Sequence, residues 1–139
     1  MVEYLFAYGT LIPGLSPDGI APAVNQLQWI GEATVRGVLY DLGEFPGAVL
    51  DVSSDRTITG RVFRLPPDPK ILTHFDRYEE FDPNFPECSL FVRKRHPVTL
   101  ATGEVIPCWI YVYNGKPDQS RILEDGRYPR ITTKGNTST

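Results

Sequence analysis

One stretch of the sequence has the periodicity of a helix, and it stands among several short stretches typical of strands. In "PPDPK", Asp68 suits an N-cap and Pro69 suits the first helical position, and the spacing predicts a helix that runs to about Phe81. A single clear helix among strands favours an α+β fold built as a small barrel or curled sheet over a doubly wound fold.

Short apolar and aromatic runs separated by glycine and proline predict the strands. They are expected at residues 3–8, as one or two strands within 27–42, late in 43–52, at 57–65, at 89–101 and at 104–114. The strand at 89–101 is expected to be interrupted or bent at Pro97. The segment "CWIYVY" is apolar on both faces, so the last strand is expected to be central. Residues 12–22 are expected to form a loop, and residues 115–128 to be irregular or briefly helical.

Length and composition indicate a single domain. The 139 residues suffice for a buried core, and 41% hydrophobic and 22% charged residues are ordinary for a globular protein. No internal repeat or boundary is visible. Residues 1–131 are therefore predicted to form one domain, and the small polar residues 132–139 to be a disordered tail.

Charge and hydropathy weigh against several partners. The formal net charge is −3 without a basic stripe, which argues against nucleic acid, and "RKRH" at 93–96 alternates faces as a solvated edge would. The apolar run at 105–113 is too short to cross a bilayer, and no signal peptide is visible, so no membrane partner and a cytoplasmic location are the default expectations. Neither the two cysteines nor the two histidines have metal-ligand spacing, so no metal is expected. The oligomeric state cannot be read from these features.

The helix carries one carboxylate on its apolar face. Ile71, Leu72, Phe75 and Tyr78 define that face at helical spacing, and Glu79 falls within it because it follows Phe75 by four residues. Its neighbour in sequence, the second glutamate of "YEEF", falls outside the face and is expected to point to water.

An inward carboxylate has two explanations. It costs several kcal/mol unless it is paired, hydrogen-bonded or protonated, so Glu79 could form a structural ion pair with Arg61, Arg93 or Arg95. Alternatively it could be a general base at the floor of a pocket, where partial burial raises its pKa towards neutrality. Buried glutamates are more often paired than catalytic, so helical geometry alone favours the ion pair.

The turn after the first strand is the second informative feature. In "AYGTLIPG", Gly9 directly follows the strand, and glycine permits a positive φ and close approach of a ligand to the backbone. The successive amides of Gly9, Thr10 and Leu11 could then form an anion-binding nest. Phosphate-loop motifs are absent.

Taken together, these motifs resemble a known family. In order, "YGTL" (8–11), "GVLYDLGEFPG" (37–47), "ITGRVFRL" (58–65), "FDRYEE" (75–80), "SLFVRKRHPV" (89–98) and "CWIYVY" (108–113) are similar to the γ-glutamylcyclotransferase-like family, which includes bacterial members and the plant avirulence-induced-gene proteins. The resemblance covers about residues 3–128. It implies a small mixed β-barrel flanked by helices.

The resemblance also implies a function and a site. The family cyclises a γ-glutamyl amide or amine to 5-oxoproline and releases the amine, without a cofactor, so the implied partner is a small γ-glutamyl molecule. The family's loop matches Tyr8, Gly9, Thr10 and Leu11, whose backbone amides would hold the substrate, and its catalytic glutamate matches Glu79. A late aromatic that closes the pocket in the family is loosely matched by Tyr128.

The sequence departs from the family at two positions and leaves an alternative open. Phe75 replaces a usual leucine, and Glu80 replaces a frequent glycine, which adds charge at the pocket rim. The alternative function is a small-molecule-binding module that keeps the pocket and catalyses no turnover, because a fold does not determine its chemistry.

Overall fold

The computed structural model describes residues 2–9, 11 and 17–128. Within them the strands are β1 (Tyr4–Ala7), β2 (Gln28–Asp41), β3 (Pro46–Leu50), β4 (Thr57–Arg64), β5 (Phe91–Leu100) and β6 (Val105–Tyr113). The α-helices are α1 (Ala21–Val24), which was not predicted, and α2 (Lys70–Tyr78). Short 3₁₀ turns lie at Pro86–Cys88 and Gln119–Arg121. The predicted tail at 132–139 lies outside the described residues.

Five of these strands close into a barrel. The strand order is β3-β2-β4-β1-β6-β5, and β2 also pairs with β5 through Ala33–Leu100 and Thr34–Thr99. β1 is parallel to β6, whereas the other pairings are antiparallel. The expected small mixed barrel of the α+β class is confirmed, and β6, placed between β1 and β5, is central as predicted.

Two hydrophobic clusters hold the fold together. One draws on all six strands and includes Phe6 and Tyr8. The other includes Leu5 and Ala7 and reaches the buried face of α2 at Ile71 and Phe75. Residues 5 to 8 alternate between the two clusters because successive side chains in a strand point to opposite faces.

The expected interruption at Pro97 is not found. β5 pairs with β6 without a break from Phe91 to Thr99, with Pro97 opposite Pro107. The Leu100 amide donates to the carbonyl of Glu104 at 2.8 Å. Because hydrogen-bonded and non-bonded pairs alternate in an antiparallel ladder, the two prolines face each other at a non-bonded pair, where neither would have to donate.

Helix α2 is shorter than predicted at both ends. It begins at Lys70, whose amide donates to Oδ1 of Asp68 at 3.0 Å, and it ends at Tyr78 instead of near Phe81. Within the described part of the chain, no helix is long and apolar enough to span a membrane.

The end of α2 is set by a left-handed residue. Glu80 has φ of 56°, and the Phe81 amide donates back to the Asp76 carbonyl at 2.8 Å while the Glu80 amide donates to the Arg77 carbonyl at 3.1 Å. This is the Schellman arrangement, in which glycine usually takes the left-handed position. The glycine that the resemblance implies at this position would adopt this conformation freely, whereas Glu80 adopts it at a cost.

Replacing Glu80 with glycine should stabilise the fold. Removing Cβ relieves the left-handed penalty, and we expect Glu80→Gly to raise the free energy of unfolding by about 1 kcal/mol in urea titrations. Glu80→Ala is the matched control, because it removes the same carboxylate but keeps Cβ and should bring no such gain. Equal stability of the two variants would show that the backbone conformation is not the cause.

Candidate active site

A pocket lies where the end of β1, the segment before β3 and the C-terminal end of α2 meet. It contains about 340 Å³ of empty space, including the part open to solvent. The described residues that line it are Phe6, Ala7, Tyr8, Gly9, Leu11, Phe45, Pro46, Glu79 and Tyr111. They are mostly apolar, and Glu79 supplies the single carboxylate among them, as in many small-molecule sites.

Four of the residues expected in the site are brought together here. Tyr8, Gly9, Leu11 and Glu79 all line the pocket. Thr10 lies outside the described residues. Tyr128 is not among the residues that line the pocket, and its hydroxyl donates to the carbonyl of Glu44 at 3.3 Å.

Gly9 is needed for a different reason from the one expected. Its φ is not in the positive range. A Cβ built on it would lie 3.0 Å from Cγ and 3.2 Å from Cδ of Pro46, which is tighter than ordinary packing allows. Glycine therefore lets the turn after β1 pack against the start of β3. Among the described residues, none accepts a backbone hydrogen bond from the Gly9 or Leu11 amide.

Glu79 faces the pocket, and Glu80 is exposed, as helical spacing predicted. Glu79 is the C-cap of α2 and is partly buried. Burial raises the pKa of its carboxyl group from 4.5 to about 8. Near neutral pH this group therefore populates both its protonated and its charged form, as a proton-transfer group must.

No ion pair of Glu79 with Arg61, Arg93 or Arg95 is found in the described part of the chain. Arg93 pairs with Asp76 instead, and Arg95 pairs with Glu3 at 3.4 Å. The guanidinium of Arg61 lies over the ring of Trp29, 5.9 Å from its centroid. The three candidate arginines are thus used elsewhere.

Asp76 is the buried charge that sequence reasoning missed. At helical spacing Asp76 lies at the margin of the apolar face formed by Ile71, Leu72, Phe75 and Tyr78, yet it is only 7% exposed. Arg93 donates from Nε to Oδ1 at 2.8 Å and from Nη2 to Oδ2 at 3.2 Å, and the Tyr111 hydroxyl donates to Oδ1 at 2.6 Å. The sequence signal for a buried ion pair was Arg93, a charged residue that directly follows the apolar run "LFV". Spacing along the chain does not identify Asp76 as its partner.

Two tyrosine hydroxyls lie near Glu79, and neither donates to it. Tyr8 donates to the Tyr111 carbonyl and accepts from the Ala48 amide, while Tyr111 donates to Asp76. Burial raises the pKa of both phenols, and the negative charge of Glu79 contributes to the rise in each case. Both therefore stay protonated with their protons directed elsewhere, which leaves the Glu79 carboxylate without their help.

The raised pKa of Glu79 predicts a pH-dependent gain from its removal. An unfolded chain ionises Glu79 near pH 4.5 but the folded chain near pH 8, so native stability falls as pH rises between these values. We expect Glu79→Gln to be little different from wild type below pH 4.5 and more stable at pH 8 and above, by an amount on the order of a few kcal/mol.

Thermal unfolding at pH 4.5 and pH 8.5 would measure this difference. Glu80→Gln is the control. Because the Glu80 side chain is exposed, this variant should not show the gain in stability at high pH that is expected for Glu79→Gln. A Glu79→Gln variant less stable than wild type at pH 8.5 would show that the carboxylate has a partner.

Solved structures share this fold. An AIG2-like protein from Mus musculus is 19% identical, with a TM-score of 0.69 over 91% of this chain and 88% of the mouse chain. YkqA from Bacillus subtilis is 20% identical, with a TM-score of 0.68 over 92% of this chain, which spans 40% of the YkqA chain. A structure of gamma-glutamyl cyclotransferase is 14% identical, with a TM-score of 0.61 over 85% of this chain and 69% of the other.

No curated protein sequence matches the chain. Among the described residues, no group of three or more His, Cys, Asp or Glu side chains could hold a metal ion.

The model of the family described as gamma-glutamyl cyclotransferase, AIG2-like, matches residues 5–130, a range that contains every residue described as lining the pocket. With most of its length matched and the family's barrel around the pocket, this chain belongs to the AIG2-like gamma-glutamyl cyclotransferase family.

Proposed function

We propose that the protein is a γ-glutamylcyclotransferase-type enzyme that converts a γ-glutamyl amide or amine into 5-oxoproline and a free amine. The observation that carries the proposal is Glu79: a carboxyl group without an ion pair in the described chain, with a pKa of about 8, in the same pocket as the turn after β1. Family membership supports the same reaction type.

The reaction is intramolecular in its substrate. The α-amino nitrogen attacks the γ-carbonyl carbon, a five-membered lactam forms, and the bond from that carbon to the leaving nitrogen breaks. One proton passes from the attacking nitrogen to the leaving nitrogen, so atoms and charges balance. Because both reacting groups belong to one molecule, holding the substrate folded supplies much of the catalysis.

Glu79 would transfer that proton. In its charged form it accepts the proton from the attacking nitrogen, and in its protonated form it returns the proton to the leaving amine. A group serves both steps best when its pKa lies near the working pH, and burial places the pKa of Glu79 at about 8.

The turn after β1 would bind the negative charges. No Lys or Arg is among the described residues that line the pocket, so the substrate carboxylate and the developing oxyanion need backbone donors. The amides of Gly9 and Leu11 form no backbone hydrogen bond with the described residues and lie beside the pocket. The Tyr8 hydroxyl is already used by Tyr111 and Ala48, so Tyr8 would contribute its ring as a wall.

Loss of the Glu79 carboxyl group should remove turnover. With a panel of γ-glutamyl amines as substrates and 5-oxoproline release as the readout, we expect Glu79→Gln to lower kcat/KM by about 100- to 10,000-fold, the usual contribution of a general acid–base group. Glu80→Gln should keep most of the activity, because that side chain is exposed.

Three results would count against this proposal. Unchanged turnover in Glu79→Gln would remove Glu79 from the mechanism. Loss of activity in Glu80→Gln alone would reverse the assignment of the two glutamates. Thermal stabilisation of the wild type by γ-glutamyl compounds, with no 5-oxoproline formed from any of them, would favour the alternative of a binding module without turnover.

The activity should also depend on pH in a defined direction. The charged form of Glu79 begins the reaction, so kcat/KM should rise with pH and level off above an apparent pKa of about 8. The substrate's own amino group adds a second ionisation. Comparing substrates whose amino groups differ in basicity separates the two ionisations, because the inflection of the kcat/KM profile that comes from Glu79 stays at the same pH. A profile without that inflection would contradict the role of Glu79.

A further inference from the structure

The Tyr111 side chain has one hydrogen-bonding capacity that the described protein does not use. A phenol hydroxyl donates one proton and can accept hydrogen bonds through its oxygen. The Tyr111 proton goes to Oδ1 of Asp76 at 2.6 Å, and no described residue donates to the Tyr111 oxygen. The side chain is nevertheless part of the pocket wall and only 3% exposed.

Asp76 and Arg93 determine the direction of that proton. Two hydrogen bonds join the Arg93 guanidinium to both oxygens of Asp76, which keeps the carboxylate as an acceptor. The guanidinium in turn packs over Trp109, 4.4 Å from the ring centroid. With its proton on Asp76, the Tyr111 hydroxyl has only its oxygen lone pairs left to offer to a ligand.

Glu79 is the second acceptor on the same wall. Its charge is close enough to Tyr111 to raise the pKa of that phenol. With Glu79 in its charged form, the two side chains offer oxygen acceptors to a group that carries N–H bonds. The other nearby hydroxyl, that of Tyr8, is closed to such a group by its bonds to Tyr111 and Ala48.

We propose that Tyr111 accepts a hydrogen bond from the α-amino group of the glutamyl substrate, and that Asp76 and Arg93 are positioning residues that hold its hydroxyl as an acceptor. This inference rests on the proposed function and assigns the part of the site that recognises the attacking nitrogen. The amine lies between Tyr111 and Glu79, where Glu79 takes its proton. An acyl group without the amino function lacks this contact, so the pocket selects γ-glutamyl over plain glutaryl compounds.

The test compares two ligands that differ by the amino group alone: γ-glutamyl methylamide and glutaric acid monomethylamide. Binding is measured by ligand-observed NMR titration in the Glu79→Ala protein, which should not consume the first ligand and adds no N–H donor beside Tyr111. Adding Tyr111→Phe should weaken the γ-glutamyl ligand by about tenfold or more, the value of one such hydrogen bond, and leave the glutaryl ligand nearly unchanged. Tyr113→Phe, the same change two residues along β6 but outside the pocket wall, is the matched control.

Asp76→Asn in the same background tests the positioning role. A carboxamide carries N–H donors and can release the Tyr111 proton, so the preference for the γ-glutamyl ligand should shrink, whereas a merely structural loss would weaken both ligands alike. Circular dichroism shows whether each variant is folded, and the Tyr111→Phe comparison decides the inference if Asp76→Asn is not.

The possible failures are distinct. If Tyr111→Phe weakens both ligands equally or neither, this inference is overturned and the proposed function stands. If the parent Glu79→Ala protein binds neither ligand, this inference is overturned, whereas the proposed function is judged by 5-oxoproline release in the wild type. If Tyr113→Phe reproduces the selective loss, the effect does not come from the Tyr111 hydroxyl, and the inference is again overturned.

Discussion

A buried ion pair between Asp76 and Arg93 connects the helix of this protein to its barrel. It joins α2 to β5, and the Tyr111 hydroxyl adds β6 to the same group. Burying two charges is costly, and it is tolerated because both carboxylate oxygens and the guanidinium have partners, including the ring of Trp109. The net gain in stability from such a pair is small, because the cost of desolvating both charges offsets their attraction. The pair holds α2 against β5, and with it the helix end at which Glu79 lies.

Two carboxylates three residues apart on this helix have opposite environments. Asp76 has a guanidinium and a phenol as partners, while Glu79 has neither in the described chain and its burial raises its pKa to about 8. The same kind of side chain thus becomes a structural anchor at one position and a proton-transfer candidate at the next turn. The neighbouring groups produce this difference between Asp76 and Glu79. Proteins generally adjust the pKa of a catalytic carboxyl group in this way.

Barrel topology brings the rest of the pocket to this helix end. β1 runs parallel to β6, with Leu5 opposite Trp109, so the turn that follows β1 emerges at the same end as Tyr111. The start of β3 packs against Gly9, where a Cβ would lie only 3.0 Å from Cγ of Pro46. Residues from the turn, from the end of α2 and from β6 therefore line one pocket, although these segments lie far apart in the chain.

Local patterns in the sequence were enough to predict the strands, the single main helix, and which of two adjacent glutamates faces inward, because side-chain periodicity follows directly from helix and strand geometry. Only the tertiary structure decided which charges meet. Arg93 was one of three candidate arginine partners for Glu79, and Asp76 lies at the margin of the apolar helix face. Strand order and register placed Asp76 and Arg93 together. Pairing of this kind depends on distances across the fold, which spacing along the chain does not contain. For that reason Glu79 faces the pocket without an ion-pair partner among the described residues.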